Sequence, residues 1–296
     1  MSLAIESADE RGCRVVWNGR PLLDYHCGDV KSFIHPLRTL EGDVLTVDRP
    51  WDHVWHRGLY FAWKLIDGVN YWGEGLEGPG PWGRMRPVSF EAAIDANGGA
   101  QIQQTLLWET AAEGRLDLTE SRRLEIGAAG GLPGSYRIDW TSRFKAERDL
   151  LLDRTPNDAA RPWGGYAGLS FRPARALHAG GARVFNSEGA QSAERLRGGR
   201  ARWAAFFGPV DGREGGGPDR RAGAAIFDHP SNLRHPTPFY AWDDPVFGFL
   251  QAAPLFHEPW PLQAGDEIRL RYGVVVASAE LSSEELDAAW TEWSAE

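Results

Sequence analysis

Between Ile34 and Trp72 the chain reads IHPLRTLEGDVLTVDRPWDHVWHRGLYFAWKLIDGVNYW. Three of its eight histidines, His35, His53 and His56, fall there beside Arg38, Asp48, Asp52, Arg57 and Lys64. Imidazole is the side chain most easily protonated or deprotonated near neutral pH and the commonest metal ligand. His53 and His56 are three residues apart, a spacing that sends them to opposite faces of a continuous strand. They converge only if the segment from Pro50 to Arg57 bends. Converged, they offer a general acid, or two ligands of a divalent metal that still needs a third His or a carboxylate. Otherwise they hydrogen-bond the backbone and hold the loop. A second set, His229, Asn232 and His235, lies in DHPSNLRHP. Its two prolines forbid a regular helix, which makes it a shaped loop of the kind that carries sites. Asn232 and Arg234 are natural donors to hydroxyl or carboxylate groups. The alternative is an Asx turn finishing a strand. If both histidine loops share one end of the fold, they form one site.

Two carboxylates complete the catalytic candidates: Glu109, after Leu107-Trp108, and Glu258, beside His257 in FHEPWP. A Glu against Trp has its pKa raised by desolvation, which suits a general acid or base; a surface Glu at a strand end is the plainer alternative. Tyr166, in a Gly-rich turn, can donate a hydrogen bond. Trp72, Trp82, Trp163, Trp242 and Trp260 stand in or near Gly/Pro turns, where flat rings suit stacking on sugar faces or simply lid the core.

The elements that must position these groups are strands. Asn18-Gly19 is a strong hairpin signal inside residues 13–30. Phe33 to Leu37 and Val44 to Val47 read as short strands, Asp48 to Arg57 as loop. Gly58 to Ile66 alternates, with Leu59, Phe61, Trp63 and Leu65 on a buried side and Tyr60, Ala62 and Lys64 on a more polar one. Asp67-Gly68 is a second hairpin turn, and residues 73–87 form a Gly/Pro-rich loop around Trp82. Strands follow at Gln101–Glu109, Leu118–Ile126, Tyr136–Lys145, the end of PWGGYAGLSF, Arg202–Phe207, Ala222–Phe227, Phe239–Ala241, Gly248–Gln251 and Glu267–Ala277. Gly208 to Arg221 reads as a mobile connection. Only the tail, SSEELDAAWTEWSAE, reads as a helix, capped by Ser282 or Ser283. Many short strands with frequent turns mean an all-β sandwich or barrel. No linker or repeat divides the chain, so residues 1–296 read as one domain.

Composition narrows the partners. A net charge of −9 over 296 residues argues against nucleic acid, which needs a basic face. No apolar run of about 18 residues is present, so no membrane helix is expected. No leader sequence is legible at the N-terminus, and Cys13 and Cys27 read as free thiols of a reducing compartment, so the expected location is cytoplasmic. Signatures for dinucleotides, P-loop phosphates, a Gly-x-Ser-x-Gly elbow, Cys-x-x-Cys and His-Glu-x-x-His are missing.

Several motifs in order carry a resemblance over nearly the whole chain: His35-Pro36, Asp52-His53-x-x-His56-Arg57-Gly58, Gly68-x-Asn70-x-Trp72, Gly165-Tyr166-x-Gly168-Leu169-Ser170, and Asp228-His229-Pro230-x-Asn232-x-x-His235-Pro236. They resemble a bacterial family labelled "methane oxygenase PmoA". The chain departs from it at Trp55, where relatives carry another His, so this loop alone does not complete a metal site. A second resemblance is to the galactose-mutarotase-like supersandwich, through the loop and strand from His53 to Trp63 and the Pro261–Asp266 turn that leads into a terminal strand at Ile268–Val276. That resemblance implies a large antiparallel two-sheet supersandwich, a sugar-like ligand on a concave face, and chemistry by paired His and carboxylate groups.

The reading is therefore an all-β supersandwich with a short C-terminal helix and a His-rich cleft. The expected function is carbohydrate-active acid/base chemistry of epimerase, lyase or hydrolase type. His53, His56, His229, His235, Glu109 and Glu258 are the catalytic candidates. His35, Arg38, Arg57, Lys64, Tyr166, Asn232, Arg234 and Trp242 are the binding candidates, with Arg57, Lys64 and Arg234 suited to an anionic or oxidised substrate. The alternatives are a sugar-binding or regulatory module without chemistry, and a metal-dependent enzyme using the His cluster.

Overall fold

A computed structural model describes residues 2–211 and 220–296. The first thirteen strands are β1 (Leu3–Asp9), β2 (Gly12–Trp17), β3 (Arg20–His26), β4 (Phe33–Leu37), β5 (Leu59–Ala62), β6 (Leu65–Ile66), β7 (Val69–Asn70), β8 (Gly83–Ile94), β9 (Ala100–Thr110), β10 (Leu116–Ala128), β11 (Ser135–Ala146), β12 (Leu150–Asp153) and β13 (Gly168–Phe171). There follow α1 (Arg175–Ala179), β14 (Arg183–Asn186), α2 (Ala193–Leu196), β15 (Trp203–Pro209), β16 (Arg221–Asp228), β17 (Phe239–Asp243), β18 (Gly248–Ala252), β19 (Trp260–Leu262), β20 (Glu267–Ala277) and α3 (Ser283–Ser294).

The strands build two eight-stranded antiparallel sheets and a small four-stranded one. The first sheet has the order β1-β2-β3-β4-β5-β13-β18-β17, and the second β14-β15-β16-β20-β11-β10-β9-β8. Alternation explains the layering. On β11, Tyr136, Ile138, Trp140 and Phe144 are buried, while Arg143 and Lys145 are exposed. Phe61 of β5 meets Trp108 of β9 and Phe144 of β11 edge-on or tilted, joining the two sheets through their facing sides. Where a second layer covers a sheet, alternation gives two buried faces. On β15, Ala204 and Phe206 enter the main core, and Trp203, Ala205 and Phe207 enter a second core closed by Leu286 and Trp293 of α3. Ser282 caps α3 in a capping box with Glu285, the arrangement the tail sequence predicts.

Both expected hairpins form. Asn18 and Gly19 take positive φ between β2 and β3, as do Asp67 and Gly68 between β6 and β7. Four expectations are corrected. Val44–Val47 makes isolated bridges to Arg38 and Pro173 rather than a strand. The Gly/Pro loop ends at Trp82, because Gly83 already pairs with Thr110. The run from Gly58 breaks after Ala62, and its "polar" side is not in water: Tyr60 and Lys64 are buried. The reason is that β5 lies inside the first sheet between β4 and β13, with the second sheet below and a layer of loops above. Finally, α1 and α2 are helical although only the tail read so; at five and four residues they are too short to show a period. Most of the Gly208–Arg221 connection, residues 212–219, lies outside the described residues. No helix is long and apolar enough to cross a membrane among the described residues, and Cys13 and Cys27 are unpaired.

Candidate active site

The loops above β5 wall a cavity of about 390 Å³, within the range of small-molecule sites. His53, Trp55 and His56 come from the loop before β5. Trp72 and Glu77 come from the Gly/Pro loop after β7, and Trp163 and Tyr166 from the segment before β13. The rest of the lining is Tyr240 and Trp242 of β17, Asp244 and Phe247 of the following turn, and Phe249 of β18. Tyr240, Trp242 and Phe249 line the cavity, while Ala241 and Leu250, at the alternating positions of β17 and β18, do not.

The Pro50–Arg57 segment bends as convergence of the histidines requires. His53 N–H donates to the Pro50 carbonyl and His56 N–H to that of His53. The two rings stack, centroids 4.7 Å apart and 20° from parallel. Asp52 accepts from His53 Nδ1 at 2.8 Å and from Arg172 at 2.5 Å. Burial would raise the Asp52 pKa, but the bond from His53 and the Arg172 guanidinium hold it below the usual carboxylate range. An ionised carboxylate only accepts, so His53 carries its proton on Nδ1 and keeps Nε2 for a ligand. His56 is 3 % exposed and its Nδ1 has no hydrogen-bond partner among the described residues. Burial, reinforced by the neighbouring His53 and the positive charges of Arg172, Lys31 and Lys64, pushes its pKa well below the ordinary imidazole value. His56 is thus a neutral ring in an aromatic nest of Tyr60, Trp72 and Phe249.

Glu77 is the second ionic feature. It accepts from Lys64 Nζ, from Asn70 Nδ2 at 3.0 Å and from the Tyr166 hydroxyl at 3.0 Å. Lys64 also lies over the Tyr166 ring. Beneath the floor, Lys31 donates to the backbone carbonyls of Trp55 and Trp72, two lining residues, and pairs with Glu74 at 3.2 Å. Burial pulls the Lys31 pKa down to about 8 against the pull of Glu74. Arg57 holds the other side of Glu74 and reaches Asp48.

Of the residues singled out in sequence, His53, His56, Trp72, Trp163, Tyr166 and Trp242 line the cavity, and Lys64 sits behind it on Glu77. The second histidine loop does not join them. His235 binds Asp228 at 2.7 Å and stacks on Trp290. His229 meets Arg271 and the edge of Trp293. Asn232 bridges Asp228 to the Arg271 backbone. This loop therefore docks α3 and β20, because its polar groups satisfy one another. Arg234 spends its donors on the carbonyls of Pro254, Glu258 and Pro259. Glu258 has an exposed side chain beside it. Glu109 is clamped by Arg84 and Arg86 of β8, and the Arg86 hydrogen bond leads the lowering of its pKa, the reverse of the shift expected beside a Trp. His35 bonds Thr46, and Arg38 gives its carbonyl to Tyr136; neither lines the cavity. Arg57, Lys64 and Arg234 all have internal partners, so none stands ready for an anionic substrate.

Glu77, Lys31 and Arg172 are not among the residues the sequence singles out, and Asp52 is named there only as a neighbour of the histidines and in the family motif. A signal existed for Glu77: a Lys in an otherwise apolar run demands a carboxylate, and the acids next downstream are Asp67 of the hairpin turn and Glu74 and Glu77 of the loop after Trp72. For a divalent metal the donors do not fit. The His53 and His56 rings lie face to face rather than aiming at one point, His53 Nδ1 is taken by Asp52, and no three His, Cys, Asp or Glu among the described residues form a ligand set.

The family model that matches, over residues 13–291, is the family of unknown function DUF6807, and the chain belongs to that family. The match lends no support to the methane-oxygenase label. No curated protein matches the sequence. Among solved structures the chain is similar to a "putative aldose 1-epimerase" from Klebsiella pneumoniae subsp. pneumoniae MGH 78578, with 12 % identity, 95 % of this chain and 82 % of that one covered, and a TM-score of 0.44.

Proposed function

We propose that the cavity binds a sugar or sugar-like polyol and performs acid/base chemistry on it, of epimerase, lyase or hydrolase type. The observation that carries this is the Asp52–His53 pair, whose His53 Nε2 has no partner among the described residues, in the lining of the same aromatic cavity as Glu77. Aromatic walls stack on the C–H faces of a pyranose or furanose. His53 Nε2 takes a proton from a ligand hydroxyl or activated C–H and returns it, while Asp52 fixes the tautomer and stabilises the imidazolium that forms. Glu77, with Lys64 and Tyr166, binds hydroxyls on the other ionic group and sets the orientation of the ring.

One observation favours a non-catalytic sugar-binding module instead. Glu77 already accepts three hydrogen bonds, which leaves little lone-pair capacity for proton transfer. A proton NMR time course with a panel of aldoses, methyl glycosides and disaccharides separates the two readings. Chemistry predicts new or exchanging sugar signals at catalytic protein levels, abolished by His53→Gln. Broadened ligand lines without turnover would mean a binding module, and silence across the panel would remove sugars from consideration.

A further inference from the structure

The rings of the cavity form a ladder from floor to mouth. Trp72 packs on Tyr166 at 4.9 Å, and Tyr166 on Trp163 at 6.3 Å and 33°. Exposure rises along it from 2 % to 8 % to 46 %. An indole left half in water forgoes the burial that normally keeps Trp inside. Here it is also held still. Its carbonyl accepts from the Tyr240 hydroxyl at 2.7 Å, and Gly165 N–H returns to Thr155 at 2.8 Å. The Asn157 side chain ties the Pro162 and Gly164 carbonyls. Gly164 allows this closure, since a Cβ there would lie 2.2 Å from the Pro156 carbonyl. An exposed ring on a braced loop is a pre-organised platform, because little freedom remains to be lost on binding.

The charge of the lining points the same way for ligand class. It holds the carboxylates of Glu77 and Asp244 and, among the described residues, neither Lys nor Arg. The nearby Arg197 guanidinium lies over the Trp242 ring at 3.7 Å and donates to the Ala241 carbonyl.

We infer that the site takes an uncharged glycoside or oligosaccharide rather than a free or acidic monosaccharide, with one sugar unit inside by His53 and Glu77 and the next stacked on Trp163. This rests on the sugar reading above and names its substrate class. A residue that only fills the mouth would affect ligands of every length; an outer platform affects only those long enough to reach it.

The test is a tryptophan-fluorescence titration of the whole protein, read within mixing time. Methyl β-glucoside is compared with cellobiose, methyl α-glucoside with maltose, methyl β-galactoside with lactose, and glucose with glucuronate. The expected result is at least one disaccharide binding about tenfold tighter than its single-unit partner, a stacking-sized difference, with glucuronate weaker than glucose. Trp163→Ala should erase the gap by weakening the disaccharide; Trp163→Phe should restore part of it. Equal affinities for short and long ligands, or a gap that Trp163→Ala leaves in place, would overturn this inference and leave the sugar reading standing. No binding by any sugar would overturn both.

Discussion

His56 offers a prediction whose size follows from its surroundings. The ring is buried among Tyr60, Trp72, Phe249 and the face of His53, and its pKa lies well below the ordinary imidazole value of 6.5. In the unfolded chain the ring is protonated below about pH 6.5; in the fold it stays neutral. The unfolded state therefore binds more protons as the pH falls, and stability contributed by this residue is present above pH 6.5 and lost below it. For a ring that remains neutral to pH 5, the loss between pH 7.5 and 5.0 is about 2 kcal/mol, from roughly 1.36 kcal/mol per pH unit beyond the unfolded pKa. Urea unfolding of the wild type and of His56→Phe at both pH values isolates it, because other groups largely cancel in the difference. Phe keeps the aromatic packing and removes the titration. The wild type should lose more than the variant on acidification, by up to about 2 kcal/mol. Equal losses would show that His56 is charged or solvated in the fold, and the neutral-ring description would fail.

Asp52→Asn should lower kcat about a hundredfold or more while changing KM little, and should shift the acid limb of the pH–rate profile, since the variant no longer fixes the His53 tautomer; a steady-state pH profile on the substrate found by NMR checks it. Lys31→Met should destabilise the fold by about 3 kcal/mol in chemical denaturation, as it removes one partner of a buried ionic group, and should weaken ligand binding through Trp55 and Trp72, whose carbonyls Lys31 holds. Glu109→Gln should leave activity untouched and change stability by less than about 1 kcal/mol, the size expected for pairs with half-exposed arginines; a large loss of kcat would return Glu109 to the catalytic group.

The strand pattern made the architecture legible. The hairpins at Asn18-Gly19 and Asp67-Gly68, the alternation of Tyr136–Lys145 and the capped tail all follow from local chemistry, and all appear. Alternation misled where a sheet is covered on both sides: Tyr60 and Lys64 read as the more polar side of a strand and are buried behind the cavity lining. The first histidine loop was recognisable because Pro50 and the Asp-His pair are contiguous. That the second histidine loop stands apart from it was not, because this depends on where α3 packs; the helix draws His229 and His235 onto Trp293 and Trp290. Glu109 and Glu77 illustrate the same limit. The sequence shows that a carboxylate is needed near Lys64, while only the fold decides that Glu77 supplies it and that Glu109 faces Arg84 and Arg86.

The most direct measurement is a crystal structure of the protein soaked with the tightest-binding sugar of the panel. The account predicts the ligand in the cavity, a ring against the aromatic wall, and His53 Nε2 within about 3 Å of one of its oxygens or reacting carbons. A sugar bound elsewhere, or one in the cavity with His53 and Glu77 both out of reach, would contradict it.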